Sequence, residues 1–444
     1  MRITRWSPLS ARPVMACPRA FDSVGVRNVM SQETANMFEK SHHRRTATMA
    51  VTAVIVAAAM LVPTAASGAP ASGPGHRAPD PSGDRQSSNS ARATASFHAL
   101  QANLGTADGS GLYPEQYPVE AGDNAYSYEW PFSQVHIAIA DLANQPGVAG
   151  HRYDKDLASA TRSQEHYWNA SGSTTGLPGY ASYARSPYGG GGDFFYDNNE
   201  WVGLLDVQRY LTDRDPVALG KAKQIFDLVV SGWDSDPTHA SPGGTFWTQA
   251  SWSTDRNTVS NMPAAELGVR LDQITGTTSY LDWALRMYHW TNDNLQRPDG
   301  LYTDHLDLAG TIEPTVWSYN QGVPIGVNVL LYQATHDRKY LAEAQRIASA
   351  ATAYYEAKGG ISTQPVSFNP IYFKNLMPLE STTGRSIYRT AMQSYADSVW
   401  AVNRDAATGL FHFGGDHTPV IDQAAMVQIY AVLAWTPPQL RSLY

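Results

Sequence analysis

Three stretches of this chain echo one another: "LTDRDPVALGKAKQI" from Leu211, "ITGTTSYLDWALRMY" from Ile274 and "ATHDRKYLAEAQRIA" from Ala334. Each opens on an apolar or small residue and Thr, turns through polar residues, and starts an amphipathic helix. The threonines Thr212, Thr275 and Thr335 stand 63 and 60 residues apart. Self-similarity at such a period marks stacked supersecondary units, none of which can bury its apolar face alone. Here the unit is a helical hairpin. Apolar spacing at 3.6 residues, clear in "YLDWALRMYHW" and "AAMVQIYAVLAW", extends the pattern along the chain. It predicts helices near 94–105, 128–144, 152–168, 196–212, 216–231, 258–275, 278–295, 316–335, 338–357, 370–380, 385–403 and 421–436. Alternating β-branched patterns are scarce. The expectation is an all-α protein, an (α/α)6 toroid of six helical hairpins, with an open superhelical array as the alternative.

In such a ring the inner helices are buried all round, and their N-terminal ends line one open face. The loops leading into them are "YSYEWPFSQ" (126–134), "GGGGDFFYDNNEW" (189–201), "GGTFWTQASWSTDRNTVSN" (243–261), "GLYTDHLD" (300–307) and "VWSYNQG" (316–322). All are rich in Trp, Tyr, Asn, Gln and Asp. Aromatic faces pack on the apolar face of a pyranose while amides and carboxylates bond its hydroxyls, so this composition predicts a glycan cleft. Trp201 and Trp317, beside "DNNE" and "YNQG", are expected to shape it.

The chain has 444 residues, of which 43% are hydrophobic, enough for a large core. Its formal charge is -8 without blocks of like charge, which argues against nucleic acid or an anionic membrane surface as partner. At the N-terminus "HHRR" (42–45), "MAVTAVIVAAAMLV" (49–62) and "PTAASGA" (63–69) follow the order of an export signal. The apolar run is short of the roughly 20 residues of a membrane span. Residues 1–69 are thus assigned to an N-terminal extension and secretory signal peptide, and 70–92, rich in Pro, Gly and Ser, to a disordered linker. The folded domain is expected over 93–444, in a secreted, extracellular, monomeric protein without stable membrane insertion. Removing residues 1–67 also removes Cys17, the only cysteine, and leaves 24 basic and 37 acidic residues, a formal charge of -13.

"YDNNEW" (196–201) carries the sharpest chemistry. Asp197 with Glu200 three positions on resembles a capping box at a helix start. Free N–H groups there also favour a charged carboxylate, the form a nucleophile requires. Other motifs are weak. "GGGG" (189–192) lacks the Lys-Ser/Thr ending of a phosphate loop, and no G-x-S-x-G or H-E-x-x-H occurs. "DSD" (234–236) reads as a turn rather than a calcium site. No metal or cofactor is expected.

"YDNNEW", "RNTVSNMPAAELGVRLDQITGTTSYLDWA", "PDGLYTDHLD", "YNQGVPIGVNVLLYQATHDRKYLAEAQRIA" and "DQAAMVQIYAVLAW" together resemble glycoside hydrolase family 76, in order over about 126–436. The resemblance implies an (α/α)6 fold, no cofactor, and retaining cleavage of α-1,6-linked mannose backbones. The family's catalytic pair is two consecutive aspartates in a Y-D-D-N-x-W context. The first falls on Asp197, the implied nucleophile; the second falls on Asn198, and an amide cannot serve as acid/base. Asn199, Trp201, Asn261, Asp304, Asn320 and Gln321 match residues of the family's cleft, and Glu200 and Trp317 join them as expected substrate contacts. Three readings stay open. Another carboxylate such as Asp193, Glu200, Asp255 or Asp304 supplies the proton; or the protein is a slow or non-hydrolytic glycan binder; or it acts on a different glycan, by inversion.

Overall fold

The computed structural model describes residues 81–443. The proposed signal peptide, the extension and residues 70–80 of the linker lie outside the described residues. Twelve helices of eleven or more residues occur among those described: α1 (Pro81–Leu104), α2 (Glu129–Ala143), α3 (Asp154–Gln164), α4 (Tyr196–Asp213), α5 (Pro216–Ser231), α6 (Thr258–Thr275), α7 (Thr278–Leu295), α8 (Ser318–Thr335), α9 (Arg338–Ala357), α10 (Asn369–Thr383), α11 (Ile387–Val402) and α12 (Val420–Leu433). Each matches a helix expected from the sequence.

The even-numbered helices form an inner ring in which α2 packs on α4, α4 on α6, α6 on α8, α8 on α10, α10 on α12 and α12 on α2. That cycle of contacts makes the fold a closed (α/α)6 toroid and not an open array. Burial separates the two kinds of helix. In α12 every residue but Asp422 is buried. In α9 the buried residues are Tyr340, Ala344, Ile347, Ala348, Ala351 and Tyr355, one stripe of an outer helix. The outer partners are α3, α5, α7, α9 and α11, each following its inner helix, while α1 covers α12. The sixth hairpin is therefore made from the two ends of the domain.

The repeated Thr sequence is the turn between inner and outer helices. Thr275, Thr335 and also Thr383 bond back to the carbonyls of Leu271, Leu331 and Leu379 at 2.7–2.8 Å. The next residue is left-handed in each, Gly276 at φ 68°, His336 at 58° and Gly384 at 68°, as is Arg214 after α4. Asp215 and Asp337 then cap α5 and α9 by accepting from Val217 N and Lys339 N. Gly276 and Gly384 take this conformation without the cost a side chain brings.

One boundary moves. Residues 81–92, expected in the linker, form the first turns of α1. Composition predicts a spacer, but tertiary contacts decide otherwise. Asn89 Nδ2 donates to Gln393 Oε1 at 2.8 Å, and Ser90 Oγ donates to Gln145 Oε1 at 2.7 Å. Arg92 pairs with Asp397 and lies over the Trp400 ring.

Short strands brace the loops on the open face. β1 (Gln116–Tyr117) pairs with β7 (Thr418–Pro419), and β2 (Trp168–Asn169) with β3 (Gly179–Tyr180). An antiparallel sheet of β4 (Asp255–Asn257), β5 (His305–Asp307) and β6 (Ile312–Glu313) sets Asn257 opposite His305 and Asp255 opposite Asp307. No described helix is long and apolar enough to cross a membrane.

Candidate active site

The inner helices begin on one face, and their first residues gather there. Asp197 is the second residue of α4; Phe195, not Asp197, occupies the N-cap position. The capping-box reading is therefore corrected: Asp197 lies inside the first turn and Glu200 a full turn deeper. Asp197 Oδ2 accepts from the indole Nε1 of Trp247 at 3.2 Å, and Oδ1 has no hydrogen-bond partner. Burial pushes its carboxyl up to about 7, against the Trp247 hydrogen bond and nearby N–H groups of Asn198 and Asp197. Asn198 is buried, 7% exposed, and its side-chain amide makes no hydrogen bond among the described residues.

Two more carboxyls surround Asp197. Glu129, the first residue of α2, is fully buried; its Oε1 accepts from Gln164 Nε2 at 2.7 Å and its Oε2 is unpartnered. Glu200 is fully buried with both oxygens unpartnered. Burial first, and then in each case the charge of Asp197, pushes both well above the carboxylate range. Burial thus favours the neutral form of both, more strongly than its neighbours allow at Asp197.

Asp304 and Asn320, both expected substrate contacts, are joined: Asn320 Nδ2 donates to Asp304 Oδ1 at 3.1 Å, and Asp304 Oδ2 pairs with His305 Nδ1 at 2.9 Å. Burial would keep the His305 imidazole neutral, but the hydrogen bond and charge of Asp304 outweigh it and raise its pKa. Burial first, and then the charges of Asp304 and Asp197, push the Tyr319 hydroxyl well above its usual value.

Aromatic rings wall the mouth of the ring on two sides. Trp317 stays half-buried there, 5.8 Å from Phe368, whose ring also meets Tyr319 at 4.0 Å and Trp130 at 6.0 Å. On the α4 side Phe195, Trp247 and Trp252 meet at 5.0–6.1 Å.

Several expected substrate contacts have another task. Asn199, Asn261 and Gln321 each stand fourth in an inner helix and are fully buried. Each amide oxygen accepts from a backbone N–H of the adjoining loop, at Tyr180 (2.7 Å), Thr245 (2.8 Å) and Tyr302 (2.7 Å). Each amide nitrogen donates to that same residue's carbonyl and to one four residues back, at Phe195, Asn257 or Trp317. With every group satisfied inside the protein, these three clamp loops and touch no substrate. Trp201, 2% exposed, belongs to the core, because a residue on the inward face of an inner helix is enclosed on all sides. Glu200 is likewise sealed off.

Glu129, Trp130 and Trp247 lie in loops whose composition flagged them, but only the fold singles them out. Phe368 follows a pair of 3-10 turns (Ile361–Thr363 and Val366–Phe368) that carry no sequence period. Asp234 of "DSD" is buried against Arg256 at 2.6 Å, a structural ion pair. Among the described residues no group of three His, Cys, Asp or Glu is placed to hold a metal.

A six-hairpin helical toroid whose aromatic-walled mouth centres on a buried carboxylate is an architecture suited to glycans. Residues 88–410 match glycosyl hydrolase family 76, and the chain belongs to that family. Its curated relatives include mannan endo-1,6-alpha-mannosidases from Candida glabrata (29% identity over 160 residues, 33% of this chain and 35% of the relative) and Saccharomyces cerevisiae (29% over 164 residues, 34% and 35%). These alignments span about a third of the relatives' length. Among solved structures, a family 76 mannosidase from Bacteroides thetaiotaomicron superposes with a TM-score of 0.69 at 22% identity, covering 78% of this chain and 98% of that one. An inactive variant of an α-1,6-mannanase from Salegentibacter sp. HEL1_6 superposes at 0.62 and 20% identity, covering 78% and 99%. It carries asparagine at two consecutive aspartates and is in complex with α-1,6-mannotriose.

Proposed function

We propose that the protein is a secreted glycosidase that cleaves α-1,6-linked mannan-type polysaccharide, with Asp197 as nucleophile. The observation that carries this reading is the setting of Asp197 at the start of an inner helix. One of its oxygens is held by Trp247, whose ring packs with Phe195 and Trp252, and the other is unpartnered. The family supports a glycosidase, and the names of the relatives support the α-1,6-mannose backbone. Carboxylate attack at C1 gives a glycosyl-enzyme that water then hydrolyses, with net retention. Trp317 and Asp304 contact the sugar in this reading, while Asn320, 1% exposed, holds Asp304 in place.

One observation favours a second reading. Asn198, directly after Asp197, carries an amide where the resemblance puts the second aspartate, so a protein that binds mannan without cutting it fits that residue equally well. Purified protein incubated with linear α-1,6-mannan, with products sized and their anomeric configuration followed by NMR, separates the two. The expected result is shortened oligosaccharides of retained configuration, with Asp197→Asn abolishing cleavage while the fold survives. Binding without cleavage supports the second reading. Neither cleavage nor binding of any α-mannoside overturns both.

A further inference from the structure

We propose that Asp255 is the acid/base of this site and does the work that Asn198 cannot. The assignment rests on the glycosidase reading above and identifies its missing proton carrier.

The carboxyls near the mouth sort by access. Glu129 and Glu200 are fully buried, so neither reaches a glycosidic oxygen. Asp304 is committed on both oxygens, to Asn320 and to His305. Asp193 stands exposed on the glycine-rich segment, joined to the fold there by its backbone carbonyl, which accepts from Ser182 N. Asp255 is half-buried, and its carboxylate makes no hydrogen bond among the described residues.

Position supports the choice. A single residue joins Asp255 to the nucleophile: Trp247 donates its indole N–H to Asp197 Oδ2 and its backbone N–H to the Asp255 carbonyl, each at 3.2 Å. The same strand sets Asn257, two residues on, opposite His305, and the charge of Asp255 adds to the upward shift of both Asp197 and His305.

The strand fixes its direction. Successive side chains of β4 alternate, and Arg256 points inward. Its guanidinium is fully buried and bonds Asp234 at 2.6 Å, the carbonyls of Asp307 and Ala240 at 2.7 and 3.0 Å, and those of Ser241 and Gly243 at 3.3 and 3.4 Å. With Arg256 anchored, Asp255 is turned to the opposite face of the strand, where it stays half-buried. A carboxylate held on an anchored strand, accessible and uncommitted, meets what proton transfer requires.

In the first step a carboxylate oxygen of Asp197 forms a bond to C1. The bond from C1 to the departing sugar's oxygen breaks, and that oxygen takes the proton of Asp255. In the second step water attacks C1 and gives its proton to the Asp255 carboxylate. The bond from C1 to Asp197 breaks, and both carboxyls return to their starting states.

The test is Asp255→Asn, assayed on linear α-1,6-mannan and on a 2,4-dinitrophenyl α-1,6-mannobioside, whose leaving group needs no proton. On mannan the variant is expected to lose about 10²–10⁴ in kcat/KM, the usual contribution of acid/base catalysis. On the aryl substrate the loss in kcat/KM should be much smaller. Added azide should raise turnover and yield a mannosyl azide of retained configuration. Asp255→Ala, compared at matched melting temperature, serves if the first variant folds poorly.

Mannan cleavage within tenfold of the parent overturns the assignment, and so does an equal loss on both substrates without azide rescue. In either case Asp197→Asn still reports on the parent reading. A parent protein that cuts neither substrate overturns that reading and this assignment with it.

Discussion

Asn198, beside the proposed nucleophile, is the residue whose replacement best tests how this site moves protons. Asn198→Asp is nearly isosteric, and the amide it replaces makes no hydrogen bond among the described residues that would be lost. The new carboxyl would join Glu129, Asp197 and Glu200 in a region where burial already pushes Asp197 up to about 7. A second carboxyl on the residue next to Asp197 would raise the pKa of one of the pair and favour a retained proton. With Asp255 carrying protons, initial rates of Asn198→Asp on α-1,6-mannotetraose should stay within about tenfold of the parent, a small part of what acid catalysis supplies. A gain of a hundredfold or more would instead mark the parent as disarmed. The sequence was enough to pick out Asp197 and to see the anomaly beside it. Glu129 was hidden because it comes from another helix, 68 residues earlier.

The inner helix with its adjoining loop is the unit that holds the site. Asn261 shows why: its amide satisfies the N–H and carbonyl of Thr245, two residues before Trp247, the residue that bonds Asp197. Thr248 Oγ1, on the other side of Trp247, donates to Phe194 O at 2.8 Å. Asn261→Ala leaves both Thr245 groups buried and unpaired, at a cost of about 1–3 kcal/mol for each group. Differential scanning calorimetry should show a melting temperature several degrees lower. Activity should fall as well, because the indole is no longer held on the nucleophile. Gln321→Ala should destabilise comparably through Tyr302, with an intact Trp247. The resemblance marked these amides correctly as special but gave them the wrong task. A buried Asn and a sugar-binding Asn look alike in sequence, and only the closing of the ring decides which is enclosed.

For the whole molecule, the ring buries ionisable groups at a density that its stability should report. Burial pushes Asp197, Asp206 and Asp422 up to about 7 and Glu266 to about 8, while Arg209 and Arg270 partly offset the effect at Asp206 and Glu266. Their unfolded values are those of ordinary carboxyls, so between about pH 4 and 8 the native state holds protons that the unfolded chain releases. Stability carried by these groups is therefore lost as pH rises through the folded values. His136 acts in the opposite sense: burial lowers it to about 3, so its contribution is present above its usual value of about 6.5 and lost below that. Above pH 6.5 only the carboxyls of this set still titrate. The melting temperature is expected to fall between pH 6.5 and 8, and a rise over that window would mean the carboxyls are charged in the native state.

The sequence by itself determined the helices, their pairing and the family, because each is written in local terms: a 3.6-residue apolar period, a Thr-led turn repeated near every sixty residues, and a run of motifs in order. It also located Asp197. The tertiary structure decided where α1 begins, since contacts with Gln393, Asp397 and Trp400 outweigh a spacer's composition. It decided too that Trp201, Asn199, Asn261 and Gln321 lie inside, and that Glu129 and Asp255 stand near Asp197. Burial and charge coupling depend on which helices close the ring against one another, and no local pattern of residues records that.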